Sequence, residues 1–288
     1  MIAVDVAAQS LYFTSGSVSN DFSGVTLKLQ GPTNQTCAVE GLDPTNQTWE
    51  TLGWVALDST GAGVFNTTLE QGVYGFYRAR TTNDTYYSTN AFGAVAGTLP
   101  SGETMIGNPF APADIATIIP SPADGTTVYQ YNNGYVIATY QINQWDTDIT
   151  VGTAEGVIVK TPTNVTQRYV VSGLFTTNQV SRSIVSGNSI ICSPLYQIIG
   201  PGTWQVDELN TNRLGGYSLI PAQTSGYSPQ CTINRMIDTS GDYQTYTLTT
   251  NNVWQTGGTN TVVPLGLTEG FWINKPTNAT WTYSLPIW

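Results

Sequence analysis

The chain has 288 residues, 40% of them apolar and 11% aromatic, which excludes a disordered polymer because such a chain can bury two or three modest cores. Only 10% of residues are charged and the net charge is −10, without a basic run, which excludes binding to nucleic acid. No apolar run approaches the ~20 residues of a membrane-spanning helix. Abundant Thr, a strand former, and the scarcity of helix formers favour an all-β protein. The acidic, Lys-poor and Thr- and Asn-rich composition is typical of an extracellular or cell-surface location.

The N-terminal residues 1–8 alternate between apolar and other side chains. Ile2, Val4 and Val6 lie on one face of an extended chain, which predicts a β-strand at a chain end. The segment lacks the basic and long apolar regions of a secretory signal. We expect this strand to serve in assembly, by pairing with the sheet of a neighbouring copy.

Residues 1–91 form the first predicted unit, a small β-sandwich. Turn signals separate short runs of strand-forming residues at the spacing of about 8 to 12 residues expected of such a fold. The predicted strands are Ser10–Phe13, Val25–Leu29, Cys37–Glu40, Trp49–Leu57 and Tyr74–Arg80.

Five sequence segments of this unit occur in an order that is similar to a known type of module. They are VTLKLQGP, CAVEGLD, WETLGWVAL, GAGVFNTT and GFYRAR, and they cover about 60 residues. In this order they resemble the fibronectin- and immunoglobulin-like β modules of large secreted bacterial proteins. The family usually has Asn or Asp where this chain has Thr48. The resemblance implies a β-sandwich in an extracellular protein.

The rest of the chain contains a predicted tandem duplication. The segment Thr153–Tyr169 returns 114 positions later as Leu267–Tyr283, with Glu-Gly, Pro-Thr-Asn and a closing Tyr at the same offsets. At the same offset Gly102–Ile106 matches Gly216–Ile220. We therefore predict two β modules, residues 92–176 and residues 177–288.

Each predicted module contains a Tyr-rich hairpin, a Trp and an apolar strand after Glu-Gly. Asn133-Gly134 predicts a two-residue type I′ turn in the first hairpin. The modules resemble a repeat of secreted bacterial proteins with the pattern G-x-x-L-I-x-N-P, a Trp and G-E-G-F-W-V. Residues near 181–212 have no counterpart in the first module and are predicted to be an insertion, or else edge strands of the last module.

The three cysteines allow at most one disulfide bond within the chain. Cys192 and Cys231 are the more plausible pair by position, while Cys37 lies in an alternating stretch where a thiol can fill a core. Three buried thiols without a bridge are an equal alternative.

The chain has no histidine, which removes the usual nucleophilic triads and imidazole-based metal sites. We predict no catalytic, cofactor-binding or metal-binding residues, and no enzymatic activity. A glycosidase needs two carboxylates, but Glu155 and Glu269 fit polar turns before apolar strands better. Calcium ligation by Asp146 with Asp148, or by Asp238 with Asp242, is weaker than a turn interpretation because neither matches a full calcium loop.

Six Asn-x-Thr sequences are candidate glycosylation sites, a number close to the chance expectation for this composition. Four cluster in the first unit near predicted turns, and the other two occupy equivalent positions in the duplicated modules. They are Asn34, Asn46, Asn66, Asn83, Asn164 and Asn278.

Duplication without recognisable chemistry favours a structural role. We expect a non-enzymatic, glycosylated extracellular protein that polymerises with copies of itself, head to tail, into a filament or surface layer. The alternative is a cell-surface adhesin or carbohydrate-binding protein, in which Trp281 and Trp288 are the candidate contact residues.

Overall fold

The structure is a computed structural model and describes the main chain of twelve ranges. They are residues 10–19, 21–43, 48–69, 75–82, 86–176, 180–192, 204–205, 232–248, 254–261, 264–265, 268–275 and 279–283. The predicted assembly strand with Ile2, Val4 and Val6 lies outside them, as do Asn46, Asn83, Asn278, Cys231 and Trp288.

The described residues form an almost entirely β structure, which confirms the predicted all-β fold class. The first strands are β1 (Tyr12–Val18), β2 (Gly24–Gln30), β3 (Thr36–Asp43), β4 (Thr48–Ala56), β5 (Ala62–Thr68), β6 (Gly75–Thr81), β7 (Asn90–Leu99), β8 (Gly102–Asn108) and β9 (Ala113–Asp114). The helix α1 (Ile115–Ile118) has four residues, and no helix in the described ranges is long and apolar enough to cross a membrane.

The remaining strands follow α1. They are β10 (Thr127–Tyr131), β11 (Tyr135–Gln141), β12 (Gln144–Trp145), β13 (Thr150–Val151), β14 (Glu155–Thr161), β15 (Gln167–Thr176), β16 (Val180–Ile184), β17 (Gly187–Cys192), β18 (Trp204–Gln205), β19 (Thr232–Met236), β20 (Tyr243–Leu248), β21 (Trp254–Thr256), β22 (Thr259–Asn260), β23 (Pro264–Leu265), β24 (Gly270–Lys275) and β25 (Ala279–Tyr283).

Three sheets stack in layers. The first sheet has the order β1-β2-β5, the middle sheet β15-β7-β6-β3-β4, and the large sheet β12-β11-β10-β14-β17-β24-β19-β20-β21-β22, with β8 also paired to β14. Strand β7 in the middle sheet is buried on both faces, because Phe92 and Ala94 enter the core shared with the first sheet while Ala91 and Val95 enter the core shared with the large sheet.

The middle sheet crosses the predicted boundary between residues 91 and 92. That boundary falls inside β7, and β7 and β15 pair with each other and extend the sheet formed by β3, β4 and β6. The core of the predicted first sandwich therefore includes Phe92, Ala94 and Val170 from residues beyond it.

Two sets of strands in the second half of the chain pair in the same way. In the first set, Val159 of β14 faces Val128 of β10, which faces Ala138 of β11. In the second set, Ile273 of β24 faces Ile233 of β19, which faces Tyr246 of β20. All six side chains are buried in one core. Two copies of one duplicated module are expected to share such a pairing scheme.

Strand β17 has the position in the second set that β8 has in the first. β8 pairs with β14 and β17 pairs with β24, and both strands begin at a glycine with positive φ, 99° at Gly102 and 96° at Gly187. The segment near 181–212, predicted to be an insertion or edge strands, contains β17 and most of β16. β17 is not an edge strand, because it pairs with both β14 and β24. The sequence between β17 and β19 is longer than the sequence between β8 and β10, so the additional residues of the second set fall there.

The two sets also exchange equivalent contacts. The N–H of Gly107 in β8 donates to the carbonyl of Thr268 at 2.7 Å, and the N–H of Cys192 in β17 donates to the carbonyl of Ala154 at 3.0 Å. Ala154 and Thr268 both have left-handed backbones, with φ of 59° and 57°. A contact from the first set to the second is matched by the same contact in reverse, which is the arrangement of an isologous, twofold interface.

Candidate contact surfaces

The first candidate surface is the open edge of the middle sheet at β4. Within the described residues β4 pairs only with β3. Its side chains Leu52 and Trp54 are 46% and 55% exposed, although both are large and apolar. A long edge strand with exposed apolar side chains offers unpaired main-chain groups to an added strand. We call Leu52 and Trp54, with the main chain of β4, the edge surface.

A buried ionic cluster holds the strands next to the edge surface. Glu40 of β3 is 5% exposed, and its carboxylate accepts hydrogen bonds from Arg78 Nε at 2.7 Å and from Arg80 Nε. The Arg78 guanidinium carbon lies 4.4 Å from the Trp49 ring centroid. The cluster links β3, β4 and β6, so it fixes the position of the edge.

The second candidate surface lies on the outer face of the large sheet. Five aromatic side chains meet there because cross-strand neighbours share a face of a sheet. Tyr131 pairs with Tyr135 across the hairpin, and the Tyr131 ring centroid lies 5.1 Å from that of Trp272. The Trp272 Nε1–H donates to the Tyr243 hydroxyl at 3.4 Å. We call this surface the aromatic strip, composed of Tyr129, Tyr131, Tyr135, Tyr243 and Trp272.

The turn below the strip differs from the sequence prediction. Because Tyr131 pairs with Tyr135, the loop has three residues, Asn132–Gly134, rather than the two of a type I′ turn. Asn133 takes the left-handed conformation with φ of 55°. The three-residue loop brings Tyr131 and Tyr135 opposite each other, so that their ring centroids are 5.3 Å apart.

Two hydroxyls of the strip, those of Tyr135 and Tyr243, have raised pKa values. Burial raises the pKa of Tyr135, and the nearby Tyr131 and Glu103 raise it further. Burial also raises the pKa of Tyr243, with a smaller contribution from the charge of Glu103. The strip therefore presents phenol hydroxyls that can donate and accept hydrogen bonds.

A polar groove of about 450 Å³ adjoins the strip at Tyr129. It lies over the outer face near the end of β14, where the Lys160 ammonium is 4.0 Å from the Glu103 carboxylate. Hydroxyl groups, the ammonium and main-chain atoms form most of its wall. The lining residues are Ser101, Gly102, Gly125, Thr127, Tyr129, Lys160, Thr161, Pro162 and Thr163.

The carboxylates considered for catalysis are held in turns or ion pairs. Glu155 Oε2 accepts the N–H of Gly152 at 2.7 Å, which agrees with a polar turn. Glu269 pairs with Arg235, and Asp146 accepts the N–H of Thr139 at 2.8 Å. No group of three or more potential metal ligands occurs within the described ranges.

The described glycosylation candidates differ in their local structure. Asn34 and Asn164 are exposed and lie in turns, with φ of 56° and 61°. Asn66 instead lies within β5, and its amide oxygen accepts a hydrogen bond from the Thr26 hydroxyl at 2.8 Å. The prediction that these sites cluster near turns is therefore wrong for Asn66.

The described cysteines are core residues. Cys37 is completely buried and burial raises the pKa of its thiol, as expected for a small core side chain. Cys192 is also completely buried, at the contact between the two strand sets. Its predicted bridge to Cys231 stays a prediction, because Cys231 lies outside the described residues.

Sequence reasoning did not single out the edge surface or the members of the strip. Trp281, one of its two candidate aromatics, lies in β25, but its side chain is outside the described part of the structure. The sequence does contain a signal that indicates the strip. Tyr129 and Tyr131 alternate with the buried Val128, and Trp272 lies between the buried Phe271 and Ile273, so these rings must face away from the core.

Comparisons with known proteins do not identify a family. No family model matches the sequence, and the searches of curated proteins and of solved structures gave no match. The resemblance to modules of secreted bacterial proteins stays a prediction.

Proposed function

We propose that this protein is a non-enzymatic, extracellular structural subunit that assembles head to tail into a filament or surface layer. The observation that carries the proposal is the edge surface on β4, where Leu52 and Trp54 are exposed and, among the described strands, only β3 pairs with the main chain. The neighbouring copy supplies the alternating strand with Ile2, Val4 and Val6.

Strand addition explains why the edge is apolar as well as open. The main chain of the added strand bonds to β4, and its alternate apolar side chains cover Trp54, while Leu52 lies at a β-bulge on the other face. The Glu40 cluster keeps β4 in place for this pairing. Because the donated strand and the edge are different surfaces, the contact is heterologous, and a heterologous contact that does not close gives a fibre.

An extracellular location is supported by the surface chemistry. Only 10% of the residues are charged, so hydroxyl and amide groups supply much of the surface polarity. Asn34 and Asn164 are exposed turn residues within Asn-x-Thr sequences, where a glycan can attach without entering the core.

Electron microscopy of the native protein tests the proposal, together with two variants. Regular filaments or sheets are expected for the native chain, and folded monomers after deletion of residues 1–9. Leu52→Lys should also give monomers, because an edge lysine opposes strand addition. Ile142→Lys is the matched control, since Ile142 is 83% exposed on the hairpin joining β11 and β12. Filaments that persist in the deletion variant would refute strand donation.

A second candidate function is that of a cell-surface adhesin or carbohydrate-binding protein. The aromatic strip favours it, because five rings gather on one face of the large sheet, where Tyr135 is 55% exposed and Tyr243 is 37% exposed. The strip and the edge surface belong to different sheets, so the two functions are separable by mutation.

A further inference from the structure

The aromatic strip gathers five large side chains on the outer face of the large sheet. Beneath it lies a small buried cluster of Met105, Ile158 and Ile190, separate from the two main cores. Tyr129, Tyr131 and Trp272 pack against this cluster, while Tyr135 is 55% exposed and Tyr243 is 37% exposed. An exposed aromatic surface of this kind is a binding surface more often than a chance feature.

A row of polar side chains runs beside the strip in the same sheet. Thr127 pairs with Lys160, which pairs with Glu103, and this row lies two residues along from the row formed by Tyr129, Ile158 and Met105. Side chains two residues apart along a strand share a face, so the polar row lies next to the row that contains Tyr129 of the strip. The polar row also borders the groove, to which Thr127 and Lys160 contribute.

This juxtaposition matches the two faces of a sugar ring. A pyranose has an apolar face of C–H groups, which stacks on aromatic rings, and a rim of hydroxyls, which exchange hydrogen bonds with polar side chains. Tyr129, Tyr131, Tyr135 and Trp272 provide the stacking surface, while Thr127, Glu103 and Lys160 provide donors and acceptors. A few placed polar groups beside aromatic walls are characteristic of ligand sites.

The charge of the protein selects among polysaccharides. The net charge is −10, and the Glu103 carboxylate lies in the polar row beside Lys160. The overall field therefore repels an anionic polymer, and the local ion pair offers no excess of positive charge. A neutral polysaccharide is not repelled in this way.

We propose that the aromatic strip and the adjoining groove bind a neutral polysaccharide, with successive sugar rings stacked along the strip and their hydroxyls bonded to the Thr127–Lys160–Glu103 row. This inference rests on the second candidate function and is independent of assembly through the edge surface. It assigns ligand contact to residues of β8, β10, β11, β14, β20 and β24.

The test uses the full-length protein and a panel of neutral hexasaccharides built on cellulose, chitin, mannan and xylan, with oligogalacturonate as the anionic comparison. Isothermal titration calorimetry measures affinity, and tryptophan fluorescence reports on Trp272. At least one neutral oligosaccharide should bind, and oligogalacturonate should not. Failure of the whole neutral panel to bind, or binding of oligogalacturonate alone, would overturn the proposal.

Variants locate the site. Tyr135→Ala should weaken binding at least about tenfold, as expected for loss of a central aromatic contact, while Tyr135→Phe keeps the ring and should retain most of the affinity. Tyr86→Ala is the matched control, because Tyr86 is 60% exposed and belongs to the first part of the chain. Equal losses in Tyr86→Ala and Tyr135→Ala would place the ligand elsewhere. Circular dichroism confirms that each variant is folded, and Leu52→Lys should bind the sugar normally even if it does not assemble.

Discussion

The main chains of Gly156 and Gly270 approach each other where the two strand sets meet. A Cβ atom on Gly156 would lie 3.2 Å from the Cα atom of Gly270, and one on Gly270 would lie 2.7 Å from the carbonyl oxygen of Ile106. These glycines occupy equivalent positions in β14 and β24, at the sequence offset of 114. The glycines of these Glu-Gly sequences therefore allow the two strand sets to pack closely, in addition to the turn that the sequence suggests.

Substitution of Gly270 by alanine should destabilise the protein. The added methyl group meets main-chain atoms, which cannot move aside as a flexible side chain can, so we expect a loss of about 1 to 3 kcal/mol in the free energy of unfolding. Urea denaturation measures the change. Gly134→Ala is the control, because nothing lies within 4 Å of a Cβ at that position. A Gly270→Ala protein as stable as the wild type would contradict the close approach of the two sets.

Substitution of Glu40 by glutamine should also destabilise the fold. The change removes the carboxylate that Arg78 and Arg80 share in a nearly buried position, and we expect a loss of roughly 3 kcal/mol. Glu50→Gln on the exposed side of β4 should have little effect and serves as the control. Thermal unfolding monitored by circular dichroism distinguishes the two. Similar melting temperatures for both variants would show that the cluster contributes little.

Tyr77 should contribute to sensitivity at high pH. It is 4% exposed in the core between the first and middle sheets, and burial raises its pKa to about 12. The folded pKa lies above the unfolded value of about 10. The stabilisation by the neutral phenol is therefore complete below pH 10 and is lost as the pH rises toward 12.

The variant Tyr77→Phe cannot ionise at this position, so its stability should fall less than that of the wild type between pH 10 and pH 12. Urea denaturation at a series of pH values measures this difference. Tyr86→Phe is the control, because Tyr86 is exposed. A wild-type pH dependence in Tyr77→Phe would assign the alkaline transition to another group.

Glycosylation of the native protein should appear as an intact mass above the 31.0 kDa of the sequence. Thr36→Ala and Thr166→Ala each remove one Asn-x-Thr sequence at an exposed turn and should each lower the mass by one glycan. Thr163→Ala lies beside Asn164 without changing its sequence motif, so the glycan should remain. An intact mass equal to that of the unmodified chain would rule out the modification.

Part of the fold was predictable because local patterns specify it. Runs of strand-forming residues between turn signals predict strands at Val25–Leu29 and Cys37–Glu40, which β2 and β3 confirm. The two-residue period of a strand explains why their apolar side chains enter one core. The match between Gly102–Ile106 and Gly216–Ile220 was less informative. The first five residues of β17 also begin with Gly and end with Ile, as Gly102–Ile106 does. The pairing of β8 with β14 and of β17 with β24 supports β17 as the counterpart of β8.

The candidate surfaces were less predictable than the strands. Alternation places Trp54 and Trp272 on particular faces of their strands, but it does not say which faces another sheet covers. Trp54 is exposed at β4, the last described strand of the middle sheet. Trp272 belongs to the strip because β14 and β17 connect the hairpin of β10 and β11 to β24 in one sheet, which brings Tyr131 next to Trp272. Both results depend on contacts between residues far apart in the sequence.

By itself, the sequence determined the all-β class, the low charge and the absence of histidine chemistry, since these follow from composition and from the two-residue period of a strand. The tertiary structure decided that β7 and β15 form a middle layer buried on both faces, and that two similar strand sets meet at Gly156 and Gly270. The physical reason is that strand order and sheet stacking are set by long-range packing, which minimises exposed apolar area over the whole chain and leaves little trace in any local pattern.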